Sequence, residues 1–147
     1  VFPRIRARLP DVRLHCIGAE PPTGVRALQE IPGITVHGHV PDLAPYMDGV
    51  RVAIAPLRFG AGVKGKVNLS MAHWQPVVAT PCAVEGMHLM DGHDVLVAEG
   101  ADAFADAGVR LYGDASLWHR LSTNGRENIR KHFSLDAARN AVRRIFF

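Results

Sequence analysis

The sequence predicts an α/β domain: a doubly wound, Rossmann-like parallel sheet followed by a helical C-terminal tail. Three observations predict it. Apolar runs of strand length recur along the chain as VRLHCI (Val12–Ile17), ITVH (Ile34–His37), VAIA (Val52–Ala55), PVVA (Pro76–Ala79) and VLVA (Val95–Ala98). Most lack polar alternation, which suits strands covered on both faces. Helical segments fall between the runs with short connections, and that alternation favours parallel strands. The third observation is Arg58–Thr80, which reads as strand exit, glycine loop, helix and strand.

Taken in order, Val1–Leu9 reads as a helix with Ile5 and Leu9 inward, ended by Pro10-Asp11. It carries no cap or start signal, so we expect the segment to begin inside a domain. The strand Val12–Ile17 leads into the turn-rich AEPPTG (Ala19–Gly24) and a short helix over Val25–Glu30. After Ile34–His37, Val40-Pro41-Asp42-Leu43 opens a helical turn reaching Met47, and Asp48-Gly49 stops it. The central helix starts near Val63, with Val63, Val67, Met71 and Ala72 at helical spacing. Thr80–Glu85 reads as a loop, Gly86–Met90 as a brief segment and Asp91-Gly92 as a turn. An alanine-rich helix over Asp102–Leu111 presents Phe104, Val109 and Leu111. Asp114 caps Ala115–Leu121, Asn124-Gly125 breaks or kinks the helix before Arg126–His132, and Ser134 caps Leu135–Phe147.

The 147 residues suit one packed domain, and 48% hydrophobic with 21% charged is ordinary globular composition. The chain contains no apolar run of membrane-spanning length and no signal peptide, which predicts a soluble, cytoplasmic domain. Cys16 and Cys82 lie far apart and form no CxxC, so neither a disulfide framework nor a zinc site is indicated. The eight histidines include no pair spaced four apart around a glutamate, and no metal is expected. A net charge of +3 is mild and predicts no nucleic-acid partner. The basic residues gather at both ends, as RIRAR and as Arg139, Arg143 and Arg144. That pattern suits either a solvated helix face or a peripheral contact with anionic lipid at the inner face of a membrane.

The glycine loop carries the chemistry. Gly60, Gly62 and Gly65 let backbone N–H groups approach a ligand, the following helix end adds partial positive charge, and Lys64 and Lys66 add full charges. Together they suit a phosphate or diphosphate. Gly60-x-Gly62-x-x-Gly65 matches a dinucleotide fingerprint, but the acidic ribose ligand expected some twenty residues on is replaced by Thr80. Gly60-x-x-x-x-Gly65-Lys66 matches most of a Walker A loop, but Val67 stands where a magnesium-binding hydroxyl belongs. The competing reading is a glycine-rich turn with solvated lysines. Phe59 is expected to anchor the loop, and His39 to face the same mouth from the end of a neighbouring strand.

Several segments in this order and spacing carry a resemblance: ITVHGHVPDL (Ile34–Leu43), RFGAGVKGK (Arg58–Lys66), PVVAT (Pro76–Thr80), AVEGM (Ala83–Met87) and GDASLWHRLSTNGRENIRKHFS (Gly113–Ser134). They resemble the C-terminal nucleotide-sugar-binding domain of GT-B glycosyltransferases, family 4-like, over nearly the whole chain. The resemblance implies the C-terminal half of a GT-B fold, without its first strand and without the N-terminal acceptor domain. It places the nucleotide base against Gly38, His39 and Val40, and the diphosphate over Gly60, Ala61 and Gly62 with Lys64, Arg58 and Lys66 as the cations. Glu85 falls in a loop near the sugar diphosphate; its other reading is an acid at a helix N-terminus. No cofactor or metal is implied, because basic side chains and the helix end neutralise the departing diphosphate.

The chain departs from the family at two positions. Many members carry two glutamates, which would fall at Ala61 and Leu69. The ribose contact then moves to Asn68, Ser70 or the backbone, or the donor site is weakened. A glycine usually ends the central helix, whereas His73-Trp74-Gln75 precede Pro76 here, so a different helix exit or a tolerated strain is expected. No catalytic base is assigned. The resulting expectation is the donor-binding part of a transferase moving a sugar, hexosyl in type, from a nucleotide diphosphate to a glycan or lipid-linked acceptor, inactive alone. The alternatives are a non-catalytic nucleotide-binding or scaffolding module and a nucleotide-sugar epimerase of the same fold.

Overall fold

Alternation along Val77, Val78 and Ala79 sets the layering of the molecule, because neighbouring residues of a strand face opposite sides of the sheet. In the computed structural model, which describes residues 1–146, all three are fully buried. Val77 and Ala79 pack with Ala55, Val67, Met71, Ala83, Met87 and Val95. Val78 packs on the other side with Leu96, Phe104, Leu111, Leu117 and Leu121. The sheet is therefore covered by helices on both faces.

The strands are β1 (Leu14–Ile17), β2 (Ile34–Gly38), β3 (Ala53–Ala55), β4 (Val77–Ala79) and β5 (Leu96–Val97). All pair in parallel, as the connections predict. They do not form one continuous sheet. β1 pairs only with β2, and β3, β4 and β5 form a separate ladder in that order.

The helices are α1 (Phe2–Arg8), α2 (Thr23–Arg26) continuing as a 3-10 turn over Ala27–Glu30, α3 (Ala44–Gly49), α4 (Gly65–Ala72), α5 (Pro81–Val84), α6 (Ala101–Gly113), α7 (Ala115–His132) and α8 (Leu135–Phe146). In α1, Phe2 joins Ile5 in the core, while Leu9 lies at the C-cap and is only partly covered. α3 begins later than its Pro-Asp signal suggests, because the Asp42 carboxylate accepts the Ala44 N–H and holds the preceding residues in a turn. α4 likewise starts at Gly65; Val63 is exposed, as is Ala72, and the buried face is Val67, Ser70 and Met71. Thr80–Glu85 is not simply a loop, since Pro81 opens α5 in the first helical position.

The expected break at Asn124-Gly125 does not occur. α7 is continuous, and Gly125 is buried where α7 crosses α4: a Cβ there would lie 3.1 Å from Met71 Cγ and 3.3 Å from the Asp94 carbonyl oxygen. The expected caps form. Asp114 Oδ1 accepts the Leu117 N–H at 2.9 Å, and Ser134 Oγ accepts the Ala137 N–H at 3.1 Å. In α8 the exposed Leu135, Val142 and Ile145 share one side, bordered by Arg139, which lies four residues from Leu135 and three from Val142, and Arg144 falls on the opposite side. Phe147, expected to end this helix, lies outside the described residues. No helix among them is long and apolar enough to cross a membrane.

Candidate functional site: an anion-binding loop at the start of α4

The loop after β3 closes on itself. Gly62 has φ +68, a left-handed conformation that a side chain would strain, and this turns its carbonyl toward the Lys64 side chain. The Lys64 Nζ donates to that carbonyl at 2.6 Å. Lys64 is only 7% exposed and has no ion-pair partner among the described residues. An ammonium has three N–H donors, so two remain for a ligand. Burying a cation against a single neutral carbonyl is unfavourable unless an anion completes the site.

The helix end adds to this imbalance. Lys64 is the N-cap of α4, Lys66 follows in its first turn, and that turn contains no acidic residue. Basic side chains ordinarily favour the other end of a helix. Two lysines and free N–H groups at one N-terminus therefore define a positive focus suited to phosphate oxygens. Arg58 is exposed beside the loop without an ion-pair partner among the described residues. Asn68 Oδ1, one turn into α4, is buried with no hydrogen-bond partner among them.

The turn after β4 braces this loop. Thr80 Oγ1 donates to the Leu57 carbonyl at 2.6 Å, and Cys82 Sγ contacts the Gly60 carbonyl at 3.8 Å. Spacing along the chain assigns no role to Cys82 and none of this kind to Thr80; the pair Thr80-Pro81, an N-cap followed by a first-turn proline, is the sequence signal for the turn that brings them here. Glu85 is exposed at the C-cap of α5, which rules out its reading as a helix N-terminal acid. Phe59 is 83% exposed and does not anchor the loop, a role that Thr80 and Lys64 fill instead.

The structure thus joins Gly60, Gly62 and Lys64 directly and places Ala61, Lys66 and Asn68 on the same loop and helix turn. Gly38, His39 and Val40 stand apart at the end of β2, which belongs to the ladder that does not pair with β3. Gly38 has φ +70, and its carbonyl accepts the Gly18 N–H at 3.0 Å. No side-chain hydrogen bond links this turn to the Arg58–Lys66 loop among the described residues, and His39 is exposed. Beneath the turn, His15 Nδ1 lies 2.9 Å from His37 Nε2, with the rings stacked and Tyr46 edge-on to His37. No cluster of three or more metal-ligating side chains occurs among the described residues.

Parallel strands, helices on both faces, a glycine- and lysine-bearing loop between a strand and a helix, and a helical tail match a GT-B-type C-terminal domain. The sequence profile described as "Glycosyl transferases group 1" matches residues 1–114, and the chain belongs to that family. Its fold is similar to TarM of S. aureus, solved with UDP, at TM-score 0.79 and 14% identity, over 93% of this chain and 29% of that one. It is also similar to the C-terminal domain of the group 1 glycosyltransferase LpcC from Francisella tularensis, at TM-score 0.74 and 16% identity over 91% and 78% of the two chains. Sucrose-phosphate synthase from Thermosynechococcus elongatus superposes at TM-score 0.77 and 22% identity, over 97% and 40%. The chain thus spans less than a third of the TarM chain. No curated protein sequence matches it significantly.

Proposed function

We propose that this domain binds the nucleotide-diphosphate sugar of a glycosyltransferase, with the diphosphate on the Arg58–Lys66 loop and the first turn of α4. The observation that carries the reading is Lys64, a buried cation with one neutral partner at a helix N-terminus that holds a second lysine and no acid. The diphosphate gains negative charge as the glycosidic bond breaks, and groups already aimed at that charge lower the barrier without a metal. Asn68, with its unpartnered oxygen, replaces the missing glutamate in holding the ribose. The UDP bound by TarM, a protein of the same fold, agrees with a nucleotide ligand. The base lies toward Gly38, His39 and Val40, and the acceptor and catalytic base come from a separate N-terminal domain, so the isolated domain binds without turnover.

Calorimetric titration with UDP, GDP, ADP and their sugars tests this. Binding of one nucleotide should persist in EDTA and weaken more than tenfold in Lys64→Ala, the order of 1.5–3 kcal/mol for a charge-assisted contact. Equal affinity in the variant would remove Lys64 from the site, and a magnesium requirement would overturn the metal-free reading. A second reading, a nucleotide-binding module without transfer, is favoured by Ala61 and Leu69, neither of which can hold a hydroxyl through its side chain. Donor binding without activity in a chain containing both domains would establish that reading.

A further inference from the structure

His88 lies in the segment between α5 and β5 with φ +54, a left-handed conformation that a residue with a Cβ adopts only when its surroundings hold it there. α7 does the holding. Asn128, 7% exposed, donates from Nδ2 to the His88 carbonyl at 2.6 Å. The His132 ring stacks on the His88 ring with centroids 4.3 Å apart and planes 14° apart, and Phe133 lies tilted against His88 at 6.3 Å. Further along the segment, the His93 carbonyl accepts from Asn124 Nδ2 at 2.9 Å. Asn124, Asn128 and His132 are four residues apart, so one stripe of α7 makes all three contacts. Two of them are amide hydrogen bonds, which do not respond to pH. The third joins two groups that both ionise near neutrality. Neutral imidazoles stack as other aromatic rings do, whereas two imidazolium rings at this spacing repel. Lys131 adds to that repulsion and Asp94 opposes it. Asp94, 8% exposed, is already engaged, with Oδ2 accepting the Met90 N–H at 2.8 Å and Oδ1 2.8 Å from His93 Nδ1. Asp91 Oδ1 accepts the Val97 N–H at 2.8 Å, and Glu127 on α7 pairs with Arg130. These carboxylates are thus committed to other partners.

We propose that the His88–His132 stack is a proton-operated latch, which fastens the segment between α5 and β5 to α7 at neutral pH and releases it when both rings are protonated. Loss of the stack removes the support for the left-handed backbone at His88, and the segment then relaxes away from the end of α7. The release reaches the anion-binding loop through the chain itself. Glu85 begins the segment, and α5, directly before it, carries the contacts of Thr80 with the Leu57 carbonyl and of Cys82 with the Gly60 carbonyl. Acid therefore loosens one side of the brace that shapes the loop. The latch follows from packing and charge and holds whatever the loop binds.

Amide hydrogen exchange, corrected for the intrinsic effect of pH, tests this at Met87, Met90 and His93, whose N–H groups donate to the Val84 carbonyl, the Asp94 carboxylate and the Met90 carbonyl. Between pH 7.5 and 5.5, protection at these amides should fall about tenfold in the native chain. Ala53 and Ala98, which donate to the Pro76 and Ala79 carbonyls, should keep theirs. His132→Phe keeps a ring against His88 but cannot carry the second charge, and it should hold the segment equally at both pH values. His88→Asn tolerates the left-handed backbone and should show lower protection that does not change with pH. Unchanged protection in the native chain overturns the proposal. An equal fall in both variants also overturns it, by assigning the acid response to other groups. So does an equal fall at Ala53 and Ala98, which would report unfolding of the whole sheet. No arm of the test uses a nucleotide, so failure of the donor-site reading would leave its outcomes unchanged.

Discussion

Trp74 shows how one residue can sit in an unfavourable conformation and be held there by its neighbours. Its φ of +59 is left-handed, which penalises a residue with a Cβ by about 1–2 kcal/mol. Three contacts offset this. Its N–H donates to Met71 O at 3.1 Å, its carbonyl accepts from Ser122 Oγ at 2.6 Å, and the Arg126 guanidinium lies 4.3 Å from its ring. Arg126 also donates to the Ala72 carbonyl at 2.7 Å, fastening α7 to the exit of α4. Trp74→Ala keeps the strain and loses the ring, so it should lower stability by about 1 kcal/mol. Trp74→Gly loses the ring but relaxes the backbone and should be the more stable variant in urea unfolding. The opposite ranking would show that the left-handed backbone at this position carries no strain worth relieving. The sequence showed that a glycine was missing here, but it did not reveal that α7 supplies the compensation.

At the scale of elements, α7 is the brace of the molecule. It reaches α4 through Gly125, and Asn128 Nδ2 donates to the His88 carbonyl at 2.6 Å. An Asn-Gly pair is a turn signal by itself, which is why a break was expected. Burial against Met71 and the Asp94 carbonyl overrides that tendency, because absence of a Cβ is what lets the helices approach. Gly125→Ala therefore sets two effects against each other: roughly 1 kcal/mol gained in helix propensity and roughly 1–3 kcal/mol lost to overpacking. Part of the clash is with backbone, which cannot move as Met71 can, so we expect a net loss of about 1 kcal/mol by denaturant titration. A stabilised variant would mean that the helix crossing is looser than the distances imply. The glycine loop was legible from spacing alone, whereas its brace from Thr80 and Cys82 was not, since those partners lie on another strand's exit.

At the scale of the whole molecule, two stacked histidine pairs predict how stability follows pH. Burial, followed by His37 and Arg13, holds His15 below the usual imidazole range. Desolvation, then His88 and Lys131, does the same for His132, which lies 4.3 Å from the His88 ring, while Asp94 partly opposes the shift. A histidine whose folded pKa is depressed binds fewer protons in the folded state than when unfolded. Its contribution is present above the unfolded value of roughly 6.5 and is lost as pH falls through and below it. Unfolding midpoints should therefore decline from pH 7.5 to 5.5, and the double variant His15→Asn, His132→Asn should flatten that slope. An equal slope in the variant would assign the acid sensitivity to other groups.

Periodicity and punctuation in the chain were enough for the strand order along the sequence, the parallel class, the caps at Asp114 and Ser134 and the loop that gathers Lys64 and Lys66. Those features depend on local spacing, which a linear chain records directly. The split between β1 and β3, the left-handed Trp74 held by α7, the brace from Thr80 and the burial of Lys64 appear only in three dimensions. Each depends on groups distant in sequence meeting across a packed interface, and burial, unlike spacing, is a property of what those groups exclude from water.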